Sequence, residues 1–512
     1  MDKNHKSSIS QADNLEEMGG FWDSHDFTQF DTNAPDVDFA VSLHEEGQLG
    51  EDASNLNALL KRTLDEALAF LSTVDERPAG AVMPPSFAGT ALADDGIGAD
   101  AALSLFKERY EPWISGSAGP RYFGFVTGGA TPAALMGDWL TSVYDQNALG
   151  SAESVAAQLE LDTLVLLRGL FGLSDEHAGS FVSGATMANF VGLAIGRQWI
   201  GQQHGVDVAR DGVHVMPPLR VLSGAPHSSV YKALAMLGVG RNAVTEVICL
   251  PNREAVDVDA LEDALHAEEG RPCLVVANAG TLNTVDFDDL QAIAALRERH
   301  PFWLHVDGAF GAFAACSPRY RHFTSGLDLA DSITVDAHKW LNVPYDAAMQ
   351  FTRHPGLQAQ VFQNAAVYLG QEIGLGNFVH RTPENSRRLR ALASWFSLTA
   401  YGRQGYTAIV ERCCELAQWL GDQIAAAPEF VLLAPVHMNG LCFTLTSSDD
   451  EVTLSDVQRF LARVTAGGGT FLTPTIYGGV PAIRASITNW RTTKEDVHRA
   501  WAGIQHATQK SG

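Results

Sequence analysis

Residues 272–310 read PCLVVANAGTLNTVDFDDLQAIAALRERHPFWLHVDGAF, and the fold is decided here. CLVVA (273–277) and WLHVD (303–307) are short apolar runs, and LQAIAALRER between them carries apolar residues at helical spacing. Strand, helix and strand in that order join parallel strands, and a parallel strand buried on both faces is apolar throughout rather than alternating. The pattern continues on both sides. Further apolar runs stand at FVS (181–183), RVLS (220–223), EVICL (246–250), SITVD (332–336) and AAMQF (347–351), with MANFVGLAIGRQWI and SVYKALAML among the helical stretches between them. Seven such runs predict an α/β fold: a doubly wound, mostly parallel seven-stranded sheet with helices on both faces.

Around this block the pattern changes. Residues 1–50 are acidic and without periodicity, and read as a loosely ordered lead-in. Residues 51–120 read as a helical segment, opening with the amphipathic LNALLKRTLDEALAFLSTV. The large domain covers 121–385. From 386 to 512 a basic helix (SRRLRALASWFSLTAYG) ends at Gly402 and another helix follows. Strands are expected near 430–434, 440–446, 470–474 and 482–487, with a helix near 454–465 and a last helix, which together make a small α+β domain.

Composition excludes several function classes. With 60 acidic and 35 basic residues the net charge is −25, a poor match to nucleic acid or an anionic membrane surface and a good one to solubility. The six cysteines include no CxxC pair and fall in apolar segments, which fits a reducing cytoplasmic setting. The first twenty residues lack an apolar run, so no secretory signal is expected. No stretch reaches the ~18 apolar residues of a membrane span.

Four strand ends carry candidate chemistry, and in open α/β sheets ligands bind at the carboxyl ends of strands. SITVDAHKWLNVPYD ends a strand in Asp336, Ala337, His338 and Lys339, with Trp340 and Leu341 next. Apolar surroundings disfavour a charged amine and make it a nucleophile. WLHVDGAFGAF ends a strand in Asp307, followed by small residues that leave room for a flat ring. No carboxylate or histidine cluster accompanies it, so no metal is expected there, whereas a protonated pyridine nitrogen needs such a carboxylate. FVSGATMANFVGLAIGRQ passes from strand to helix through Ser183, Gly184, Ala185 and Thr186, which by itself reads first as a Gly-rich turn capped by Thr186 and second as a helix start that suits a phosphate. In APHSSVYKALAML, His227 opens a helix, as a cap or as an imidazole over an aromatic ring.

These motifs, in this order, resemble the group II pyridoxal-dependent decarboxylases, a family that includes aromatic-amino-acid, tyrosine, glutamate and histidine decarboxylases. DAHKWLNVPYD is similar to the family's His-Lys signature, HVDGAFGAF to its HVDAA-type segment, SGATMAN to its phosphate turn and PHSS to its stacking-histidine segment; the likeness runs from about residue 110 to 500. It implies a fold-type I, aspartate aminotransferase-like large domain and a homodimer with active sites at the subunit interface. It implies pyridoxal 5'-phosphate as cofactor, held by Lys339 as a Schiff base. His338 then lies at the phosphate, Asp307 pairs the ring nitrogen, Ala309 lies under the ring, His227 stacks above it, and Ala185 and Thr186 hold the phosphate. Asp336-Ala337 replaces the family's frequent Asn-Pro, and Gly119-Pro120 its His-Pro. A cofactor-contacting threonine falls near Leu282, with Asn283 or Thr284 as substitutes, and the substrate wall reads YDQNALG, with polar Gln146 and Asn147.

The implied reaction is decarboxylation of a small-molecule L-amino acid to its amine. The alternatives are other chemistry of the same cofactor (oxidative deamination to an aldehyde, transamination or carbon–carbon cleavage) and a non-catalytic regulatory relative. Among the related decarboxylases a mobile loop carries a tyrosine that protonates the carbanion, and relatives with phenylalanine there tend toward aldehydes. The stretch VFQNAAVYLGQEIGLGNFVHRTPE holds one tyrosine, Tyr368, which serves as that acid or packs on the loop's apolar side.

Overall fold

The computed structural model describes residues 47–80, 89, 91–150, 154–364, 374–447 and 451–509. The chain divides into two compact units. The smaller comprises Met1–Glu66 and Ala88–Arg109. It holds helices Gln48–Ser54 and Ala99–Arg109 and the first part of helix Leu56–Thr73. Within it Lys107 Nζ lies 2.6 Å from Glu66 and the Ala99 amide donates to Asp52 at 2.9 Å. Of the acidic lead-in only residues 47–50 are described, and there Gln48 already begins a helix.

The larger unit comprises Ala67–Phe87 and Tyr110–Gly512 and contains both sheets. The first consists of β1 (Ala178–Val182), β2 (Val221–Ser223), β3 (Val244–Glu246), β4 (Cys273–Asn278), β5 (Phe302–Asp307), β6 (Ser332–Asp336) and β7 (Ala348–Thr352), in the order β1-β7-β6-β5-β4-β2-β3. Neighbours from β6 to β3 run parallel, and β7 runs antiparallel to both β1 and β6. Every residue of β4, β5, β6 and β7 is buried, which is why these runs read as continuously apolar. The third strand starts earlier than EVICL suggests. Ile248 is 74% exposed, so the apolar run 246–250 leaves the sheet instead of continuing it.

Helix Ala185–Gln203 lies across β4 to β7. Its glycines allow the close approach. A Cβ on Gly192 would stand 2.6 Å from the His305 ring, and one on Gly196 2.7 Å from Leu274. As a result β4, β5 and β6, adjacent in the sheet, present Asn278, Asp307 and Asp336 at one edge, with the start of this helix beside them.

The second sheet is antiparallel, in the order β10 (Thr473–Tyr477), β11 (Val480–Ser486), β9 (Gly440–Leu445), β8 (Phe430–Leu432). Strand β10 sits three residues later than expected because Gly478 and Gly479, both at positive φ, form the tight turn of a hairpin. Helices Leu454–Ala466 and Lys494–His506 each begin with a capping box, Thr453 with Asp456 and Thr493 with Asp496. No described helix is long and apolar enough to cross a membrane.

The stretch SRRLR is not helical, contrary to its basic-helix reading: the helix begins at Ala391 and is interrupted at Gly402. The reason is Arg387, whose guanidinium is drawn into the core. It bonds both oxygens of Glu160 at 2.8 and 3.1 Å and the carbonyls of Ala148 and Phe181, with both ionic side chains wholly buried. Arg387→Leu would strand the Glu160 carboxylate and is expected to cost about 3–5 kcal/mol. Arg388→Leu breaks a half-exposed pair with Asp138 and should cost only ~0–1 kcal/mol. Urea unfolding midpoints of the two variants compare these directly. Equal midpoints would mean the buried pair does not hold the segment.

Candidate active site

At the carboxyl ends of β4, β5 and β6 lies a cavity of about 540 Å³. Ala185, Thr186, His227, Asp307, Ala309, His338 and Lys339 all line it, and Asp336 lies among them. Tyr368 lies outside the described residues.

Asp307 ends β5 and is only 6% exposed. Its Oδ1 accepts the Ala309 amide at 3.1 Å and its Oδ2 accepts Asn189 Nδ2 at 2.9 Å. These donors are neutral, and among the described residues no side-chain cation stands at ion-pair distance from this carboxylate. A buried carboxylate so placed is complementary to a cationic ligand group.

His227 caps helix Ser228–Met236, its Nδ1 accepting the Ser229 amide at 3.2 Å, and it also lines the cavity. Burial pushes its pKa down, opposed by Asp307 and assisted by Lys339 and Arg484. The neutral ring therefore carries its proton on Nε2, because a backbone N–H can only donate.

Lys339 has an ionic partner that its apolar neighbours in sequence conceal. Trp340 and Leu341 are fully buried, but Nζ lies 3.3 Å from Asp336 and 5.4 Å from the centre of the Phe310 ring. Asp336 also lies 3.3 Å from His338 Nε2 and accepts the Ala185 amide at 3.2 Å. Burial would raise the Asp336 carboxyl, but the Lys339 charge and the hydrogen bond and charge of His338 outweigh it and hold it below the ordinary carboxylate range. The acidic residue in the His-Lys segment thus has three compensating groups around it. Thr186 makes no helix-cap bond, which leaves its hydroxyl at the cavity wall.

Several substitutes read from the sequence fall elsewhere. Asn283 and Thr284 turn to Glu254, at 2.7 and 2.8 Å, while Thr281 and Leu282 line the cavity. Asn147 accepts the Arg387 amide and Gln146 bonds the Tyr144 carbonyl, and neither lines this cavity.

Two contributors were not legible as site residues. Arg484, on β11, reaches the cavity from the second sheet and is 7% exposed. Its contacts are neutral, at 3.3 Å to the carbonyls of Leu282 and Gly124 and 3.4 Å to Thr473, and its Nε is buried without a partner. The signal for it was an arginine inside the otherwise apolar VPAIRAS. Asn189, in SGATMAN, stands behind Asp307. A buried asparagine near the start of an apolar helix was the available clue.

Pyridoxal phosphate requires a carboxylate for its ring nitrogen, donors for its phosphate, an amine for its aldehyde carbon and a slot for a flat ring. Asp307, the helix start with Thr186 and His338, Lys339, and the small side chain of Ala309 supply that donor set in one cavity. The residues present fit the group.

Comparison with known proteins agrees. Residues 100–446 match the model of the pyridoxal-dependent decarboxylase conserved domain. The chain is 28% identical over 389 residues to the aromatic-L-amino-acid decarboxylase of Bacillus atrophaeus, covering 74% of this chain and 79% of that one. It is 27% identical over 380 residues to the L-2,4-diaminobutyrate decarboxylase of Acinetobacter baumannii, covering 70% and 73%. In fold it is similar to the crystal structure of Oryza sativa TDC with PLP and tryptamine, with a TM-score of 0.82 at 21% identity over 89% of this chain and 98% of that one. A family match spanning residues 100–446, over a cavity with this donor set, means that the chain belongs to the pyridoxal-dependent decarboxylases, carboxy-lyases that act on amino acids with pyridoxal phosphate.

Proposed function

We propose that Lys339 carries pyridoxal phosphate in this chain and that Asp307, His227 and Arg484 adapt the site to decarboxylation of an L-amino acid. The observation that carries the reading is the buried Asp307 carboxylate, held by neutral donors alone, in the same cavity as a lysine amine. When bound, the cofactor supplies the electron sink that takes up the electron pair left at Cα as CO₂ departs.

Each side chain has a distinct task. Asp307, by facing the ring nitrogen, favours its protonated form. Thr186, His338 and the amide groups at the helix start would hold the phosphate, and the small Ala309 would leave room for the ring. Lys339 would hold the cofactor by its aldehyde carbon, and its amine would serve substrate entry and product release. His227 would stack on the ring and present Nε2–H to the substrate. Tyr368, outside the described residues, would return the proton to Cα. Arg484 receives the substrate carboxylate, because a buried guanidinium with only carbonyl and hydroxyl contacts is complementary to an anion.

The chain acts as a homodimer in the cytoplasm on this reading. Helix Pro132–Tyr144 exposes Met136, Trp139 and Val143 on one face, at 60, 40 and 67%, a stripe suited to a second subunit. All six cysteines are free thiols, as a reducing compartment requires.

The test is a product assay for CO₂, amine, aldehyde and ammonia across acidic, basic and aromatic amino acids. Amine and CO₂ in equal amounts are expected, and an aldehyde as main product would overturn the reading. With the best substrate, Arg484→Met should lower kcat/KM by ~10–150-fold, the equivalent of about 1.5–3 kcal/mol for a hydrogen bond to a charged group. Its cofactor content should not change. An unaltered kcat/KM would take Arg484 out of substrate binding.

A further inference from the structure

Behind the cavity wall lies a chain of buried polar groups that the reaction does not itself require. Trp303 Nε1 lies 2.9 Å from Ser332 Oγ, Ser332 Oγ 2.8 Å from His305 Nδ1, and His305 Nε2 2.8 Å from Asn189 Oδ1. Asn189 Nδ2 in turn lies 2.9 Å from Asp307 Oδ2 and 3.0 Å from Ser229 Oγ, and Ser229 Oγ lies 2.7 Å from His227 Nδ1. His305, Asn189 and Ser332 have no solvent exposure, Trp303 has 1% and Ser229 4%.

Proton bookkeeping gives this network one direction. An ionised Asp307 only accepts, so Asn189 turns its NH₂ toward it and its carbonyl oxygen toward His305. That oxygen only accepts, so His305 carries its proton on Nε2. Burial pushes the His305 pKa down to about 4, Asp307 opposing, so the ring is neutral near pH 7 and its Nδ1 is an acceptor. Ser332 therefore spends its hydroxyl proton on His305 and accepts from Trp303, whose indole can only donate. At the other branch the second Asn189 N–H goes to Ser229. The Ser229 hydroxyl then donates to His227 Nδ1, which also accepts the Ser229 amide. Both ends are consistent with a single arrangement and every Asn189 donor and acceptor is used.

We infer that Asn189, held in place by His305, is a positioning residue that serves both sides of the site at once: it aims the Asp307 carboxylate and, through the Ser229 hydroxyl, adds a second hydrogen bond at His227 Nδ1 to that of the Ser229 amide. No other polar side chain among the described residues bonds both Asp307 and Ser229. The fold keeps the hub rigid. Helix Ala185–Gln203 carries Asn189, and Gly192 one turn on lets it rest against the His305 ring. Neither branch is visible in the periodicity of the helix, where Asn189 reads as one polar residue among apolar ones.

The inference rests on Asp307 facing the cofactor, and the experiment separates the two. Cofactor dissociation constants are measured by equilibrium dialysis of pyridoxal phosphate against the full chain. The proteins are the parent, Asn189→Leu, Asp307→Asn and the double variant. Groups that orient a ligand-binding side chain typically matter 10–100-fold. Asn189→Leu should weaken binding by ~10–100-fold in the parent and by several-fold less in the Asp307→Asn background, because the charge that Asn189 aims is already gone and only its Ser229 branch remains to be lost. Equal weakening in both backgrounds, or none in the parent, would overturn the hub. Undiminished affinity in Asp307→Asn alone would overturn the underlying reading of Asp307 instead. A second pair covers failure of Asn189→Leu to fold. His305→Gln keeps an N–H for the Asn189 oxygen and should stay within about threefold of the parent. His305→Leu should weaken binding as Asn189→Leu does. Identical affinities for the two His305 variants would contradict the inference.

Discussion

Lys339→Ala is expected to abolish turnover and to remove the visible absorption of the lysine-linked cofactor. The amine stands at the carboxyl end of β6, 3.3 Å from Asp336, in a cavity shared with Asp307 and His227. Alanine removes the only described amine in that cavity, and with it the covalent attachment that the proposal assigns to Lys339. A fall of ~10⁴-fold corresponds to about 5.5 kcal/mol of transition-state stabilisation, within the range a covalent catalyst supplies. The rest of the site should persist, since Asp307 and His227 are held by groups that do not involve Lys339. The absorption spectrum and a steady-state rate check this together. A variant that kept both would remove Lys339 from the mechanism.

Asp307→Asn should lower kcat by at least several hundred-fold, about 3.4 kcal/mol or more at ~1.4 kcal/mol per tenfold. The substitution preserves shape but deletes the one buried negative charge that the proposal sets against the ring nitrogen. Asparagine can still accept the Ala309 amide, so loss of activity without loss of fold is the expected pattern. The loss should appear mainly in kcat, because stabilising the departing electron pair matters in the transition state more than in substrate binding. Near-normal kcat would mean that another group manages the ring nitrogen.

How much of this was legible follows from where the signal lies. Strand β5 advertised itself because it is buried on both faces and ends abruptly in Asp307, and β6 did the same with Asp336. A carboxylate closing an apolar run at a strand end is a conflict that local sequence displays. Arg484 and Asn189 displayed no such conflict. Each is a polar residue inside an element whose apolar pattern survives it, and its meaning comes from a neighbour far along the chain: Arg484 meets Leu282 and Gly124, and Asn189 meets Asp307. SRRLR failed for a related reason. Its charge pattern says exposed helix, whereas Arg387 is claimed by Glu160, 227 positions away. The partner of Lys339 was three residues off and still missed, since apolar Trp340 and Leu341 dominate the reading while the side chain turns to Asp336.

The two sides of the site are also unequal in how they are held. Asp336 has two basic side chains beside it, Lys339 and His338. Asp307 is surrounded by neutral donors that run back through Asn189 and His305 into the sheet. The second aims one buried carboxylate into the cavity, as a partner for a cationic ring requires.

The central claim is that Lys339 carries the cofactor, and borohydride reduction tests it most directly. Reduction of the loaded protein fixes the cofactor onto whichever lysine holds it, and peptide mapping by mass spectrometry then locates the added mass. The account predicts stoichiometric labelling in the peptide containing Asp336-Ala337-His338-Lys339-Trp340, on Lys339 alone. Labelling on another lysine, with this peptide unmodified, would contradict it.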